Sequence, residues 1–167
     1  MNVFKKVQTE EQVEKVAQLA RIIWTGYFSP MIGDNIVDYL LKQLQSKNAI
    51  TRQIQNGYQY YLIPRSKKVI GYFAILDKHE SSELFLSKLY LLDSERGKGF
   101  GKSAMTFIET LARKKKYRKI ALTVYYKNVE AIGAYKKMGF KKTGSVMRDI
   151  GNKIIIHDFT MEKILMP

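Results

Sequence analysis

A glycine-rich segment, Arg96-Gly97-Lys98-Gly99-Phe100-Gly101-Lys102, follows the apolar run 89–92 and opens a helical pattern. Where a strand passes through such a turn into a helix, backbone N–H groups converge and the helix dipole adds roughly half a positive charge. The segment therefore predicts an anion site, with a phosphate as the first candidate ligand. Without their context, the glycines fit a flexible turn between two elements equally well.

The spacing of the glycines argues against two better-known phosphate cradles. A Walker loop needs four residues between its first glycine and a Gly-Lys-Ser/Thr, and the chain has no such segment. A dinucleotide fingerprint needs a third glycine three positions after the second, where this chain has Lys102. We therefore expect the anion to be neither a nucleoside triphosphate nor NAD.

The composition limits the chemistry and the partners. The chain has no cysteine and only two histidines, His79 and His157, so catalysis must use oxygen and nitrogen groups, and we expect no metal. The formal net charge of +14 attracts polyanions, which leaves nucleic acid, anionic membrane and a phosphorylated small molecule open. No apolar run approaches the length of about 18 residues that suggests a membrane span, and residues 1–6 carry no signal-peptide core. We expect a cytoplasmic protein.

The elements that must position the turn form a mixed α/β sheet with helices on both faces, in a single domain over 1–167. Thr9 and Gln12 fit a capping box that opens a first helix, and Ser29-Pro30 and Gly33-Asp34 break it. The remaining elements are a short edge strand over 3–6, a helix over about 35–45, strands over 58–63, 68–76 and 84–92, the helix after the turn, a strand over 119–126, a helix from Asn128 to Gly139, and strands near 140–147 and 153–163.

Two motifs resemble those of the Gcn5-related N-acetyltransferase (GNAT) superfamily, and the likeness covers nearly the whole chain. Arg96, Gly99 and Gly101 match Arg/Gln-x-x-Gly-x-Gly/Ala after a strand. The resemblance implies a twisted, largely antiparallel sheet of about seven strands, four helices, and a cleft between two central parallel strands. The second motif, Asn-x-x-Ala-x-x-x-Tyr-x-x-x-Gly-Phe, is matched in full by Asn128, Ala131, Tyr135, Gly139 and Phe140.

The resemblance implies acetyl-CoA as the co-substrate. In the family the glycine turn binds the pyrophosphate, and the strand before it pairs its main chain with pantetheine. A backbone N–H of that strand would also polarise the thioester carbonyl. Asn128 would contact pantetheine, although a helix N-cap explains an Asn there without a ligand. The implied cofactor-binding residues are Leu89, Tyr90, Leu91, Arg96, Gly97, Lys98, Gly99, Phe100, Gly101, Lys102, Asn128 and Tyr135.

The candidate catalytic residues are Tyr135, which the resemblance implies, and Glu83, which is our own hypothesis for a proton acceptor. The phenol of Tyr135 would donate a proton to the departing CoA thiolate, whereas its position in an apolar stripe also fits a core tyrosine. Many relatives carry a glutamate base on the strand before the turn, where this chain has Phe85 and Ser87. The ammonium proton would then leave through water to Glu83 or His79, or the amine would enter already neutral.

The acceptor is less defined by the sequence. We expect a small-molecule amine, with a polyamine within that class, because segments 24–28, 149–151 and 157–163 resemble more loosely the PaiA-type spermidine/spermine acetyltransferases. The +14 charge opposes a polycation, although Asp34, Asp38, Glu80 and Glu83 supply local acids. The alternatives are a protein N-terminus or lysine, a non-catalytic acyl-CoA sensor, and, more remotely, a nucleic-acid-binding protein. The sequence leaves open whether the chain forms a homodimer. His157 and Asp158 fit a structural pair better than a catalytic one.

Overall fold

The computed structural model describes residues 3–167; Met1 and Asn2, the start of the segment expected to lack a signal peptide, lie outside the described residues. Over that range the chain forms seven strands, five α-helices and one 3-10 helix. In chain order they are β1 Lys5–Lys6, α1 Glu10–Ile32, α2 Asp34–Leu44, α3 Lys47–Gln55, β2 Gln59–Arg65, β3 Lys68–Lys78, β4 Glu83–Leu91, the 3-10 helix Asp93–Glu95, α4 Phe100–Lys114, β5 Lys119–Tyr125, α5 Val129–Lys137, β6 Lys141–Asp149 and β7 Ile155–Ile164.

The strands follow one another across the sheet in the order β1-β2-β3-β4-β5-β7-β6. β4 and β5 run parallel, with Glu83 opposite Lys119 and Leu86 opposite Leu122. β2 pairs antiparallel with β1 and β3, and β7 pairs antiparallel with β5 and β6. The mixed α/β class, the seven strands and the central parallel pair are confirmed. None of the helices within residues 3–167 combines the length and apolar character needed to cross a membrane.

The chain divides into two compact units, and the single domain over 1–167 stays a prediction. Unit 1 comprises the described residues up to Leu76 together with Lys88–Thr106, and unit 2 comprises Asp77–Ser87 and Phe107–Pro167. In unit 1 the core includes Val16, Ile50, Ile63, Tyr72 and Phe73, all fully buried. In unit 2 the fully buried side chains include Leu84, Ile108, Ile120 and Met161. Each such side chain stabilises its unit by roughly 1.5–3 kcal/mol.

The first helix runs further than the sequence predicts. Pro30 lies within the last turn of α1, and Gly33, with φ 89°, ends the helix. The expectation that Ser29-Pro30 breaks α1 was therefore wrong. A proline removes one N–H donor, but this turn still closes because Gly33 N–H donates to Ser29 O at 2.9 Å.

The chain has a fifth helix, α3, where the sequence pattern predicts four helices. Ser46 caps it, since the Ser46 Oγ accepts from Ala49 N at 3.1 Å. The helix has nine residues and buries only Ala49 and Ile50. It is too short to show a repeated apolar stripe, which is the main signal for a helix in a sequence.

The end of β4 is fixed closely against β3 within unit 1. Leu92 N–H donates to Ile70 O at 2.8 Å. A Cβ built on Gly71 would lie 2.3 Å from Tyr90 O and 3.1 Å from Leu91 Cα. Only glycine permits this approach, so Gly71 helps to position the strand that leads into the glycine turn.

Candidate active site

The glycine turn joins β4 to α4 in unit 1 as a strand-turn-helix unit. Gly97 and Gly99 have φ values of 73° and 89°, which L side chains rarely adopt. A Cβ on either would meet nothing within 4 Å, so conformation rather than crowding requires glycine there. The first intrahelical bond of this end runs from Ser103 N–H to Gly99 O, 3.0 Å. The backbone amides of Phe100, Gly101 and Lys102 precede that bond, and a helix start of this kind suits an anion.

Arg96, the first residue of the matched motif, is held from two sides. Its guanidinium lies over the ring of Tyr27, with Cζ 4.1 Å from the ring centroid. Its Nη1 is 3.4 Å from Asp93 Oδ1 in the adjacent 3-10 helix. A guanidinium stacked on an aromatic face keeps a defined orientation, so Tyr27 of α1 helps to order the turn.

Two further charged residues, which belong to neither sequence motif and were not predicted, lie beside the turn. Glu95 forms an ion pair with Arg65 at the end of β2, and its Oε2 is also 3.5 Å from Lys98 Nζ. Desolvation raises the pKa of Glu95, but Arg65 and Lys98 together outweigh it and hold that pKa below its ordinary value. The contact with Lys98 has the i,i+3 spacing of a local pair, whereas Arg65 is 30 residues away in sequence, so no local pattern signals it.

The predicted pantetheine-binding residues Leu89, Tyr90 and Leu91 end β4 and are half-buried. The Tyr90 ring packs at 5.4 Å from that of Trp24 in α1 and at 5.7 Å from that of Tyr72 in β3. The packing of the Tyr90 ring and the close approach at Gly71 therefore both fix the main chain at this end of β4. The structure brings these residues and the turn together as continuous parts of unit 1.

A buried polar network lies next to this strand and was also not predicted. Lys88 Nζ donates to Gln53 Oε1 at 3.1 Å, and Tyr60 OH donates to the same oxygen at 2.5 Å. Gln45 Nε2 donates to Tyr60 OH at 3.2 Å, and Tyr72 OH donates to Gln45 Oε1. Burial raises the pKa of Tyr60 and of Tyr72 above the ordinary value, so both phenols stay protonated donors at neutral pH.

The second matched motif lies in unit 2, around α5. Asn128 is buried, and its Oδ1 accepts from Ala131 N at 3.3 Å as the N-cap of α5. Tyr135 is half-buried in the same helix, with its ring edge-on to Phe140 at 5.6 Å. The cap accounts for Asn128 structurally, as the sequence allowed, and the ligand role of both residues stays a prediction.

Glu83, the second predicted catalytic residue, is buried at the start of β4 in unit 2. Its carboxylate lies 3.5 Å from Lys78 Nζ and 3.5 Å from Lys119 Nζ. The other suggested proton acceptor, His79, has Nδ1 2.8 Å from Tyr117 OH. These contacts give both side chains structural partners, and their part in a proton relay stays a prediction.

Asp158 and His157 of β7 have separate partners in unit 2. Asp158 Oδ2 lies 2.6 Å from Arg148 Nη2, and burial raises the pKa of this carboxyl despite the ion pair. The His157 ring stacks on Tyr126 with centroids 4.7 Å apart. Both arrangements fit a structural role.

The chain is similar to known acetyltransferases. The model of the acetyltransferase (GNAT) family matches residues 17–140. The chain is 30% identical over 113 residues to YycN, an uncharacterized N-acetyltransferase of Bacillus subtilis, covering 63% of this chain and 72% of that protein. It is 29% identical over 124 residues to N-acetyltransferase family 8 member 2 of Rattus norvegicus, covering 71% of this chain and 55% of that protein.

A solved structure shares the fold over almost the whole chain. It is the PaiA N-acetyltransferase of Thermoplasma acidophilum in complex with coenzyme A, with a TM-score of 0.78 and 21% identity. The alignment covers 98% of this chain and 99% of that one. With the strand-turn-helix geometry and the match over residues 17–140, these likenesses show that the chain belongs to the acetyltransferase (GNAT) family.

Proposed function

We propose that the chain transfers the acetyl group of acetyl-CoA to the primary amine of a small molecule. The observation that carries this proposal is the turn between β4 and α4, where Gly97 and Gly99 adopt positive φ just before the first backbone amides of α4. The coenzyme A bound to the PaiA neighbour supports the same donor for this chain. The diphosphate would bind the backbone of residues 96–102.

The reaction is a direct attack. The amine nitrogen forms a bond to the thioester carbonyl carbon, the carbon–sulfur bond breaks, and the sulfur leaves as a thiolate that must gain a proton. A backbone N–H of residues 89–91 would stabilise the oxyanion of the tetrahedral intermediate. Tyr135 would supply the proton to the thiolate.

The proton of the acceptor amine has two routes. The ammonium proton leaves before the attack through water to Glu83 or His79, or the amine enters neutral. In either case the N–H proton lost as the amide forms replaces the proton that Tyr135 gives to the thiolate. We favour the neutral amine, because Glu83 already contacts Lys78 and Lys119, and His79 already contacts Tyr117. If Glu83→Gln shifts the pH profile of the rate, the relay through Glu83 replaces the neutral amine in this proposal.

The acceptor class is a small amine, with polyamines within it and a protein N-terminus or lysine as the second candidate. The looser resemblance of segments 24–28, 149–151 and 157–163 to PaiA-type spermidine/spermine acetyltransferases favours an amine of the first kind. The +14 charge of the chain works against a polycation at low ionic strength. The cytoplasmic location, which we expect from the sequence, and the homodimer, which the sequence leaves open, stay predictions.

The test is free-thiol release from acetyl-CoA with a panel of diamines, polyamines, amino acids and peptides. We expect thiol release above background with at least one small amine, and acetylated amine of matching amount by mass spectrometry. Thiol release with peptides alone would indicate a protein acceptor instead of a small amine. Binding of acetyl-CoA without thiol release from any amine would favour the acyl-CoA sensor.

A further inference from the structure

Three charged side chains form a cluster beside the glycine turn in unit 1. Arg65, the last residue of β2, pairs through Nη1 with Glu95 Oε2, and Lys98 Nζ lies 3.5 Å from the same oxygen. The Glu95 side chain is only 15% exposed, whereas those of Arg65 and Lys98 are each 46% exposed. One largely buried carboxylate oxygen thus lies between two cations that solvent can reach.

The orientation of Arg65 is fixed by a second contact. Its Cζ lies 5.6 Å from the ring centroid of Phe100, the first residue of α4. The guanidinium therefore contacts Glu95, just before the glycine-rich segment, and Phe100, within that segment at the start of α4. An arginine with this support presents its remaining N–H donors in a defined plane, which suits two oxygens of one phosphate.

The oxygen of Glu95 occupies the position between the two cations that an oxygen of a phosphate could also take. A phosphate monoester carries about −1.5 to −2 charge at pH 7, more than a carboxylate, and has three acceptor oxygens. It can therefore compete with Glu95 for Arg65 and Lys98. A diphosphate carries less charge on each phosphorus and is already served by the backbone amides of the turn.

We infer that Arg65 and Lys98 form a subsite for a phosphate monoester, which binds the 3′-phosphate of coenzyme A in exchange for the Glu95 carboxylate. This inference rests on the proposed use of acetyl-CoA. It adds Arg65, which lies outside both sequence motifs, to the residues that bind the cofactor. The subsite makes the chain favour coenzyme A over the same molecule without its 3′-phosphate.

The test is calorimetric titration of the full chain with coenzyme A and with dephospho-coenzyme A. We expect the parent protein to bind coenzyme A about tenfold more tightly, a typical value for a charge-assisted contact. In Arg65→Met the ratio of the two dissociation constants falls towards one, mainly through weaker binding of coenzyme A. The matched control is Arg21→Met, which removes one exposed guanidinium from α1 of the same unit and keeps the parent ratio.

Two results would overturn the inference while leaving the proposed function intact. One is equal affinity of the parent for both coenzymes, and the other is an unchanged ratio in Arg65→Met. If that variant loses affinity equally for both coenzymes, Arg65 orders the glycine turn and does not bind the 3′-phosphate. Lys98→Met provides the same readout if Arg65→Met does not fold. If the parent binds neither coenzyme, the proposed function fails, and this subsite with it.

Discussion

Tyr135 is the residue to which the proposed chemistry assigns the proton for the leaving thiolate. Its substitution by Phe keeps the ring that packs edge-on against Phe140 and removes only the hydroxyl. Because a positioned general acid accelerates a step by roughly 10²–10⁴-fold, we expect kcat of Tyr135→Phe to fall by about a hundredfold with little change in the KM for acetyl-CoA. Steady-state kinetics with the best amine measures this. An unchanged kcat would leave Tyr135 as a core tyrosine.

Asp158 gives a prediction about pH and stability. Burial raises the pKa of its carboxyl above the ordinary value of 3.8, so the folded state favours the protonated form. Its contribution to stability is fully present below pH 3.8 and is lost as pH rises through the folded-state value. We expect the free energy of unfolding of Asp158→Asn, relative to that of the parent, to increase from pH 4 to pH 7.

Urea unfolding of both proteins at the two pH values measures this difference. Arg148, the partner of Asp158, is 47% exposed in its side chain and stays hydrated in the variant. A difference between the two proteins that does not change with pH would show that the Arg148 ion pair offsets the cost of burial.

At the scale of elements, the approach of β3 to β4 is the feature that fixes the strand before the turn. A Cβ at Gly71 would clash with the main chain of Tyr90 and Leu91 rather than with a flexible side chain. We expect Gly71→Ala to displace the end of β4, to lower the free energy of unfolding by about 1–3 kcal/mol, and to weaken acetyl-CoA binding. Urea unfolding and calorimetry measure both effects.

The control for this variant is Gly26→Ala in α1, where an added Cβ meets nothing within 4 Å. Alanine in an exposed helix position is more favourable than glycine by about 1 kcal/mol, so we expect equal or higher stability and parental acetyl-CoA binding. If Gly71→Ala behaves like Gly26→Ala, the close approach of the two strands does not position the cofactor.

The sequence predicts an element well where its apolar pattern is long. It fails where contacts between segments far apart in the sequence determine the structure. The seven strands and the parallel β4–β5 pair follow from apolar runs and from the turn between β4 and α4, whereas the position of β7 between β5 and β6 was not predicted. Helix α3 buries two residues and leaves too short a stripe, and Pro30 is tolerated because it falls in a final turn that still closes. Sequence motifs do not reveal Arg65, because its partner Glu95 is 30 residues away in the sequence.

At the scale of the whole molecule, the net charge of +14 predicts opposite salt effects on the two substrates. Acetyl-CoA is an anion, so screening by salt weakens its attraction and we expect its KM to rise several-fold between about 50 and 500 mM salt. A polyamine is repelled, so its KM should fall over the same range.

Initial rates at a series of salt concentrations measure both KM values. A rise of KM for the polyamine as well would show that local acids, among which Asp34 and Asp38 are candidates, dominate over the net charge at the acceptor. The KM for a neutral or anionic amine would not fall as the salt concentration rises. The sign of the salt effect on KM therefore also separates the acceptor classes.

The central claim is that the turn between β4 and α4 binds the diphosphate of acetyl-CoA through a backbone conformation that L side chains rarely adopt. Calorimetric titration of acetyl-CoA into the parent, Gly99→Ala and Gly133→Ala tests it most directly. An added Cβ meets nothing within 4 Å at either position, but Gly99 has φ 89°, whereas Gly133 lies in helix α5 without a positive φ. We predict one site per chain in the parent and in Gly133→Ala, and at least tenfold weaker binding in Gly99→Ala. Absence of binding to the parent, or parental affinity in Gly99→Ala, would contradict the account.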